Sequence, residues 1–187
     1  MILGFIGVGN IGKAMITGLC TCPTPPEKIV IYDVDAAKCQ SVSKRFAQVE
    51  IAPDNQTLLD RVDSVFLCVL PQIAPQVLLP LNFRENHLVV SVIAIRPIHE
   101  ISEYVEPART VIRAVPLPAI AHHVGPVIFY PDNEIVAELF GSTARVIKVG
   151  SENDLIILSA ITGLISPYYA LVTALSGWAA SAGVDKD

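Results

Sequence analysis

The most constraining feature of this chain is its first twelve residues. A short apolar run, Ile2 to Ile6, leads directly into Gly7-Val8-Gly9-Asn10-Ile11-Gly12. An apolar stretch of that length bounded by glycine reads as a buried parallel strand. The stretch from Asn10 to Leu19 reads as a helix, so the glycines form the strand-to-helix turn. Gly7 permits the tight turn, Gly9 lets the backbone approach a pyrophosphate, and Gly12 lets helix and strand pack closely. The helix N-terminus presents free N–H groups and a partial positive charge to phosphates. A second strand, Lys28 to Tyr32, ends at Asp33, twenty-one residues after Gly12. An acid at that place accepts hydrogen bonds from an adenosine ribose and repels a 2′-phosphate. The expected ligand is therefore NAD(H) or NADP(H), with NAD(H) favoured by Asp33.

The same alternation continues. Asp35 is placed to cap a helix over Ala36 to Phe46, and Val49 to Ile51 reads as a third strand. A turn at Pro53-Asp54-Asn55 opens a short helix. Further strands are expected at Ser64–Val69, Leu88–Ile93, Thr110–Ala114, Val127–Tyr130 and Arg145–Val149. Helices are expected at Ile73–Leu79, from Pro97 to Tyr104, and at Asn133–Phe140. This pattern predicts an α/β fold: a Rossmann-type open, mostly parallel sheet with helices on both faces. After Gly150 two helical stretches follow, Glu152–Leu164 and Pro167–Ala182, the start of an all-α domain. The expected division is 1–150 for the dinucleotide-binding domain and 151–187 for an incomplete dimerisation or substrate domain, too short for a core of its own.

Composition narrows the function. Hydrophobic residues make up 52% of the 187 residues and charged residues 17%, so the core is large or apolar surface meets another chain. The net charge is -5 with no block of like charge, which argues against nucleic acid as a partner. Cys20, Cys22, Cys39 and Cys68 show neither a CxxC pair nor metal-ligand spacing and read as reduced cytosolic thiols. The apolar N-terminus reads as a strand and not as a signal peptide. Leu155 to Val184 carries no charged residue and is long enough to span a bilayer. Its six Ser and Thr residues, its Pro167 and the lack of a flanking basic cluster favour a helix pair in a subunit interface instead. A cytoplasmic homodimer or higher oligomer away from any membrane is expected.

The motifs that follow one another along the chain resemble pyrroline-5-carboxylate reductases. Gly4 to Ile16 is similar to the family's opening, and Val65 to Gln72 to its "VFLAVKPQ". Leu88 to Val92 matches "LVISI", Ser159 to Tyr169 resembles "TALSGSGPAY", and Ala182-Gly183-Val184 matches the end of the next helix. The resemblance implies that Gly7, Val8, Gly9, Asn10, Ile11, Gly12, Asp33, Asn55, Val69, Leu70 and Pro71 surround the cofactor, with Asn55 near its ribose. It implies hydride transfer to a small cyclic imine, as in proline biosynthesis, and further helices beyond the present sequence. Thr162 and Ser166 are the candidate catalytic residues, in a polar turn before Pro167 suited to the substrate carboxylate. The departures fall on the ligand loops. The family lysine before Pro71 is Leu70, "RxMPNTP" appears as Arg113-Ala114-Val115-Pro116-Leu117-Pro118, and "SGSGP" carries an extra residue. A dinucleotide-binding relative without turnover, acting as a sensor or regulator, is the alternative those departures keep open. β-Hydroxyacid dehydrogenases are disfavoured, because they use a lysine early in the second domain and none lies between Lys148 and Lys186. His122-His123 has no accompanying ligand pattern, so no metal is expected. Tyr168 and Tyr169 read as packing residues.

Overall fold

The computed structural model describes residues 1–185; Lys186 and Asp187, the end of the expected second segment, lie outside the described residues. Eight strands form one sheet in the order β3-β2-β1-β4-β5-β6-β7-β8. They are β1 Ile2–Ile6, β2 Lys28–Tyr32, β3 Val49–Ile51, β4 Ser64–Leu67, β5 Leu88–Ser91, β6 Thr110–Val115, β7 Pro126–Tyr130 and β8 Arg145–Lys148. All neighbours pair in parallel except β6 and β7. Only a short connection, with a 3₁₀ turn at Pro118–His122, joins those two strands, too little for a crossover helix, so β7 returns antiparallel.

The helices are α1 Asn10–Thr21, α2 Ala36–Ser43, α3 Asn55–Asp60, α4 Ala74–Leu78, α5 Ile98–Tyr104, α6 Glu134–Gly141, α7 Glu152–Ile161 and α8 Ile165–Ser181. Successive strand residues point to opposite faces, and both faces are covered, as a parallel sheet requires. One core holds Phe5, Ile31, Phe66, Val90, Ile112 and Phe129 against Met15, Ile16 and Leu19 of α1 and Val136 and Phe140 of α6. Phe5 and Phe66 stack there at 4.6 Å between ring centroids. The other core holds Ile6, Val30, Val65, Leu67 and Val89 against Leu58, Leu59, Leu78 and Ile101. The sheet order reverses between β1 and β4, and the carboxyl ends of these two strands open the crevice where ligands bind in such sheets.

The C-terminal helices follow a different plan. Leu155 is the one buried residue in α7, and α8 buries none. The break between them lies at a 3₁₀ turn over Thr162–Leu164, not at Pro167 as the sequence predicts. Pro167 is the third residue of α8, inside its first turn, where the missing N–H costs nothing. Glu152–Ser181 consequently runs as one helical rod, long and apolar enough by length and composition to cross a membrane.

A buried histidine ties the rim of the second core to pH. The His87 ring is wholly buried, its Nδ1 accepts from the Arg84 N–H at 3.0 Å, and its Nε2 has no partner. Burial, and then the nearby Arg84 charge, push its pKa below the ordinary histidine value. The folded chain thus holds the ring neutral while the unfolded chain takes a proton near pH 6.5. His87 contributes full stability above that pH and loses it as pH falls toward its depressed folded pKa. Urea unfolding between pH 8 and pH 5 should show this loss. His87→Gln, which keeps the acceptor and cannot charge, should flatten that part of the slope; an unchanged slope in the variant would place the titration elsewhere.

Candidate active site

The turn after β1 is set by backbone geometry. Gly7 sits at φ +98°, and a Cβ there would lie 2.7 Å from the Cys68 carbonyl oxygen. A Cβ on Gly12 would lie 2.5 Å from the Gly7 carbonyl, so both positions exclude any side chain. Gly9 differs: a Cβ there meets nothing within 4 Å. Its side faces open space, where a ligand backbone would pass. Gly9 also caps α1 without any side-chain hydrogen bond, and α1 has no acid in its first turn. The leading N–H groups of α1 are therefore free for an anion.

Beside this turn lies a groove of about 330 Å³ lined by Gly7, Gly9, Asp33, Val34, Lys38, Asn55, Cys68, Val69, Leu70 and Ile73, among others. The Asp33 carboxylate faces inward and is largely satisfied. One oxygen accepts from the Val8 N–H at 2.8 Å, and the other accepts from the Asp35 N–H at 2.9 Å. The Lys38 ammonium stands 3.5 Å from the same carboxylate. Asp35, as the sequence implies, caps α2 by accepting from the Ala37 N–H. Asp54 caps α3 and leaves Asn55 as its first residue. Asn55 Oδ1 is buried and has no hydrogen-bond partner among the described residues, an orphaned acceptor in the wall of the groove. Burial pushes the Cys68 thiol far above its ordinary range, so it forms a neutral wall. An orphaned acceptor, a free helix N-terminus and an open face at Gly9 fit a dinucleotide, with hydroxyls for Asn55 and phosphates for α1.

A second cavity, of about 680 Å³, opens on the other side of the turn. Asn10 and Ile11 line it together with Val92 to Ile95, Arg113 to Pro116 and residues of α7, including Thr162 just beyond. Ile95 adopts φ 69°, a left-handed conformation that strains a β-branched residue, and it is 86% exposed at the cavity wall. The Thr162 hydroxyl donates to the Ser159 carbonyl at 2.6 Å, which leaves its oxygen able only to accept from a ligand.

The expected residues thus divide. Gly7, Gly9, Asp33, Asn55, Val69 and Leu70 come together in the groove. Asn10, Ile11 and Thr162 meet in the adjoining cavity. Val8 and Gly12 build the turn from behind, and the Pro71 carbonyl accepts from Arg96, joining two loops at the rim. Ser166 is exposed on α8. His122 and His123 lie elsewhere: the His123 Nε2 is within 3.0 Å of the Thr21 hydroxyl and 3.1 Å of the Gly18 carbonyl, pinning the 3₁₀ turn to α1. Among the described residues no group of three or more His, Cys, Asp or Glu side chains is placed to hold a metal.

Two functional candidates escape the sequence reading. Arg113 is 5% exposed on β6 and pairs with Glu152 at 3.2 Å. Glu152 Oε1 also accepts from the Ile98 N–H at 2.8 Å, so one carboxylate ties β6, α5 and α7 together. A single cation inside the apolar strand Thr-Val-Ile-Arg-Ala-Val was the available signal.

Known proteins resemble this chain in sequence and in fold. The chain is 24% identical over 182 residues to a pyrroline-5-carboxylate reductase of Haemophilus influenzae, covering 91% of this chain and 66% of that protein. It therefore spans about two thirds of the length of that relative. The crystal structure of a 1-pyrroline-5-carboxylate reductase from Streptococcus pyogenes superposes with a TM-score of 0.85 at 24% identity, covering all of this chain and 72% of that one. A Plasmodium falciparum pyrroline carboxylate reductase with NADP bound gives a TM-score of 0.83 at 22% identity, covering 99% and 71%. The profile of the family described as NADP oxidoreductase coenzyme F420-dependent matches residues 2–95, the glycine turn and both walls of the groove. With half of its 187 residues matched in that way, the chain belongs to that family of NADP oxidoreductases.

Proposed function

We propose that this chain carries the cofactor site and part of the substrate site of an NAD(P)H-dependent reductase acting on a cyclic imine, like pyrroline-5-carboxylate reductase. The observation that carries the reading is the adjacency of two spaces around one turn. The groove with Gly9 and the orphaned Asn55 acceptor lies on one side, and the cavity with Asn10, Ile11 and Thr162 on the other. A dinucleotide crossing Gly9 would place its nicotinamide end toward the cavity. The bound nicotinamide would supply a hydride to an imine carbon held there. The chain's own work is alignment, because a protonated imine is already electrophilic. Thr162, its hydrogen committed to Ser159, is suited to accept from the N–H of such an imine. Ser166 would act only when a second chain closes over α8. A cavity of this size beside the cofactor end supports turnover over a purely regulatory role. Oxidation of NADH or NADPH by the full chain with pyrroline-5-carboxylate tests the reading; dinucleotide binding with no turnover on any cyclic imine would defeat it.

The reading includes a preference for NAD(H). Asp33 is largely buried beside the adenosine end, and a 2′-phosphate placed there meets a carboxylate that Lys38 only partly offsets. NADH should bind about tenfold or more tighter than NADPH at equal salt, a difference of about 1.4 kcal/mol. Asp33→Asn should narrow the ratio. Tighter NADPH binding would mean that Lys38 dominates the site.

It also includes the division at residue 150, a cytoplasmic location, and assembly through α7 and α8. Ile157, Ile161, Leu164, Tyr168, Leu171, Leu175 and Trp178 are all more than half exposed. Only 6% of the most apolar 18-residue stretch of the rod is buried, an extended apolar face of the kind that marks an interaction surface. The rod carries no charge from Leu155 to Val184, and a second copy of it is the matching surface. Sedimentation in detergent-free buffer should show a dimer or larger species. A well-behaved monomer would refute the assembly, and recovery only from membranes would favour a spanning rod.

A further inference from the structure

We infer that Arg113 is an anion anchor in the floor of the second cavity, holding a carboxylate of the molecule that binds there. Among the described residues, Arg113 is the only charged one in the cavity lining. It is 5% exposed, yet only one of its five donors has a protein partner among the described residues, Nη1 on Glu152 Oε1. That bond is 3.2 Å long, beyond the 2.7–2.9 Å usual for a guanidinium and a carboxylate. The same oxygen is shared with the Ile98 N–H at 2.8 Å. Its Nε and Nη2 are not among the buried unpartnered atoms, so these donors open onto the cavity, where a ligand anion can reach them. A ligand carboxylate is the group whose two oxygens match its planar fork.

The α1 N-terminus faces the cofactor phosphates in the reading above, and two further places that might take an anion are closed to it. The polar stretch at Thr162–Ser166, read from the sequence as a turn for the carboxylate, is instead a 3₁₀ link inside a nearly continuous rod. Its Thr162 hydroxyl is spent on Ser159, and Ile165 N–H bonds Thr162 O. The N-terminus of α7 carries Glu152 and Asp154 in its first turn, which repel an anion. The cationic face of the cavity is therefore Arg113 alone. The cavity volume of about 680 Å³ suits a small ring bearing one carboxylate, seated between Arg113 and the Thr162 oxygen. The anion itself follows from Arg113; that its ring is an imine rests on the reductase reading.

The test uses the full chain saturated with NAD⁺ and two probes of the same shape, cyclopentanecarboxylate and its neutral carboxamide, titrated by calorimetry. The wild type should prefer the carboxylate by about tenfold or more, the scale of one hydrogen-bonded charge pair. Arg113→Gln should abolish that preference while the NAD⁺ affinity, which rests on the groove across the turn, stays unchanged. Arg113→Lys keeps a cation for Glu152 and loses the fork; it should fold, retain part of the preference and settle the matter if the Gln variant does not fold. Equal affinity for both probes in the wild type, no measurable carboxylate binding, or the wild-type ratio in Arg113→Lys and Arg113→Gln overturns the anchor. The two readings separate cleanly. No turnover of pyrroline-5-carboxylate, with a charge preference that still follows Arg113, removes the reductase and keeps the anchor. Full turnover in Arg113→Gln with unchanged KM removes the anchor and keeps the reductase.

Discussion

Gly9→Val should abolish dinucleotide binding and leave the fold intact. The two halves of that expectation come from the same geometry. A Cβ at Gly9 meets no protein atom within 4 Å, and the position has an extended backbone at φ -71° that valine adopts easily. Melting temperature should therefore change little. The branched side chain would instead fill the space in front of the α1 N-terminus, where the phosphates must approach the free N–H groups. Losing that approach should weaken NADH by at least ~100-fold, about 2.7 kcal/mol. The neighbouring glycines provide the contrast. Gly12→Ala puts a carbon 2.5 Å from the Gly7 carbonyl, so it should lower stability as well as affinity. Calorimetric titration with NADH, together with thermal unfolding of both variants, reads the two effects apart. Near-native NADH affinity in folded Gly9→Val would mean the ligand does not cross this turn.

Most of the frame was legible because parallel strands announce themselves. Runs such as Lys28–Tyr32 and Ser64–Leu67 are apolar on both faces and flanked by turn residues, and each formed where expected. The meeting of Gly7, Gly9, Asp33 and Asn55 in one groove was legible for a related reason: each lies at or just past a strand end. Val69 was read as strand but lies past β4, and Phe46 was read as helix but lies past α2, the usual looseness of element ends. The larger misreading was the break in the C-terminal rod. Proline in a helical pattern argues for a stop, but Pro167 sits where a first turn tolerates it, and the true irregularity falls at Gly163 one turn earlier. That shift puts a 3₁₀ link where the sequence pattern places an open turn. Arg113 and Glu152 are separated by 39 residues, and no local pattern links them. Their pairing exists only after β6 and α7 have docked.

Removing Glu152 should free the C-terminal rod from the sheet. Glu152 Oε1 bonds both Arg113 of β6 and the Ile98 N–H at the start of α5. Besides this carboxylate, α7 is held chiefly by Leu155, its single buried residue, and α8 buries nothing. In Glu152→Ala the docked rod leaves Arg113 buried without its counter-ion, a situation that costs about 3–5 kcal/mol when both partners are fully enclosed. Glu152 is 26% exposed, so the lower end applies, about 3 kcal/mol. That penalty need not unfold the sheet. Undocking α7 returns Arg113 to water at the expense of only Leu155 and a few neighbours, so the chain relieves the strain by opening locally. Amide hydrogens of α7 should exchange about a hundredfold faster in Glu152→Ala, while those of β1, β4 and β5 keep their protection. Protease cleavage near Gly150 should rise in parallel. Glu152→Gln keeps an acceptor for Ile98 and should show a smaller increase. Uniform loss of protection across the sheet would mean that rod and sheet open as one unit. Unchanged exchange in α7 would mean that the Arg113–Glu152 pair contributes nothing to docking.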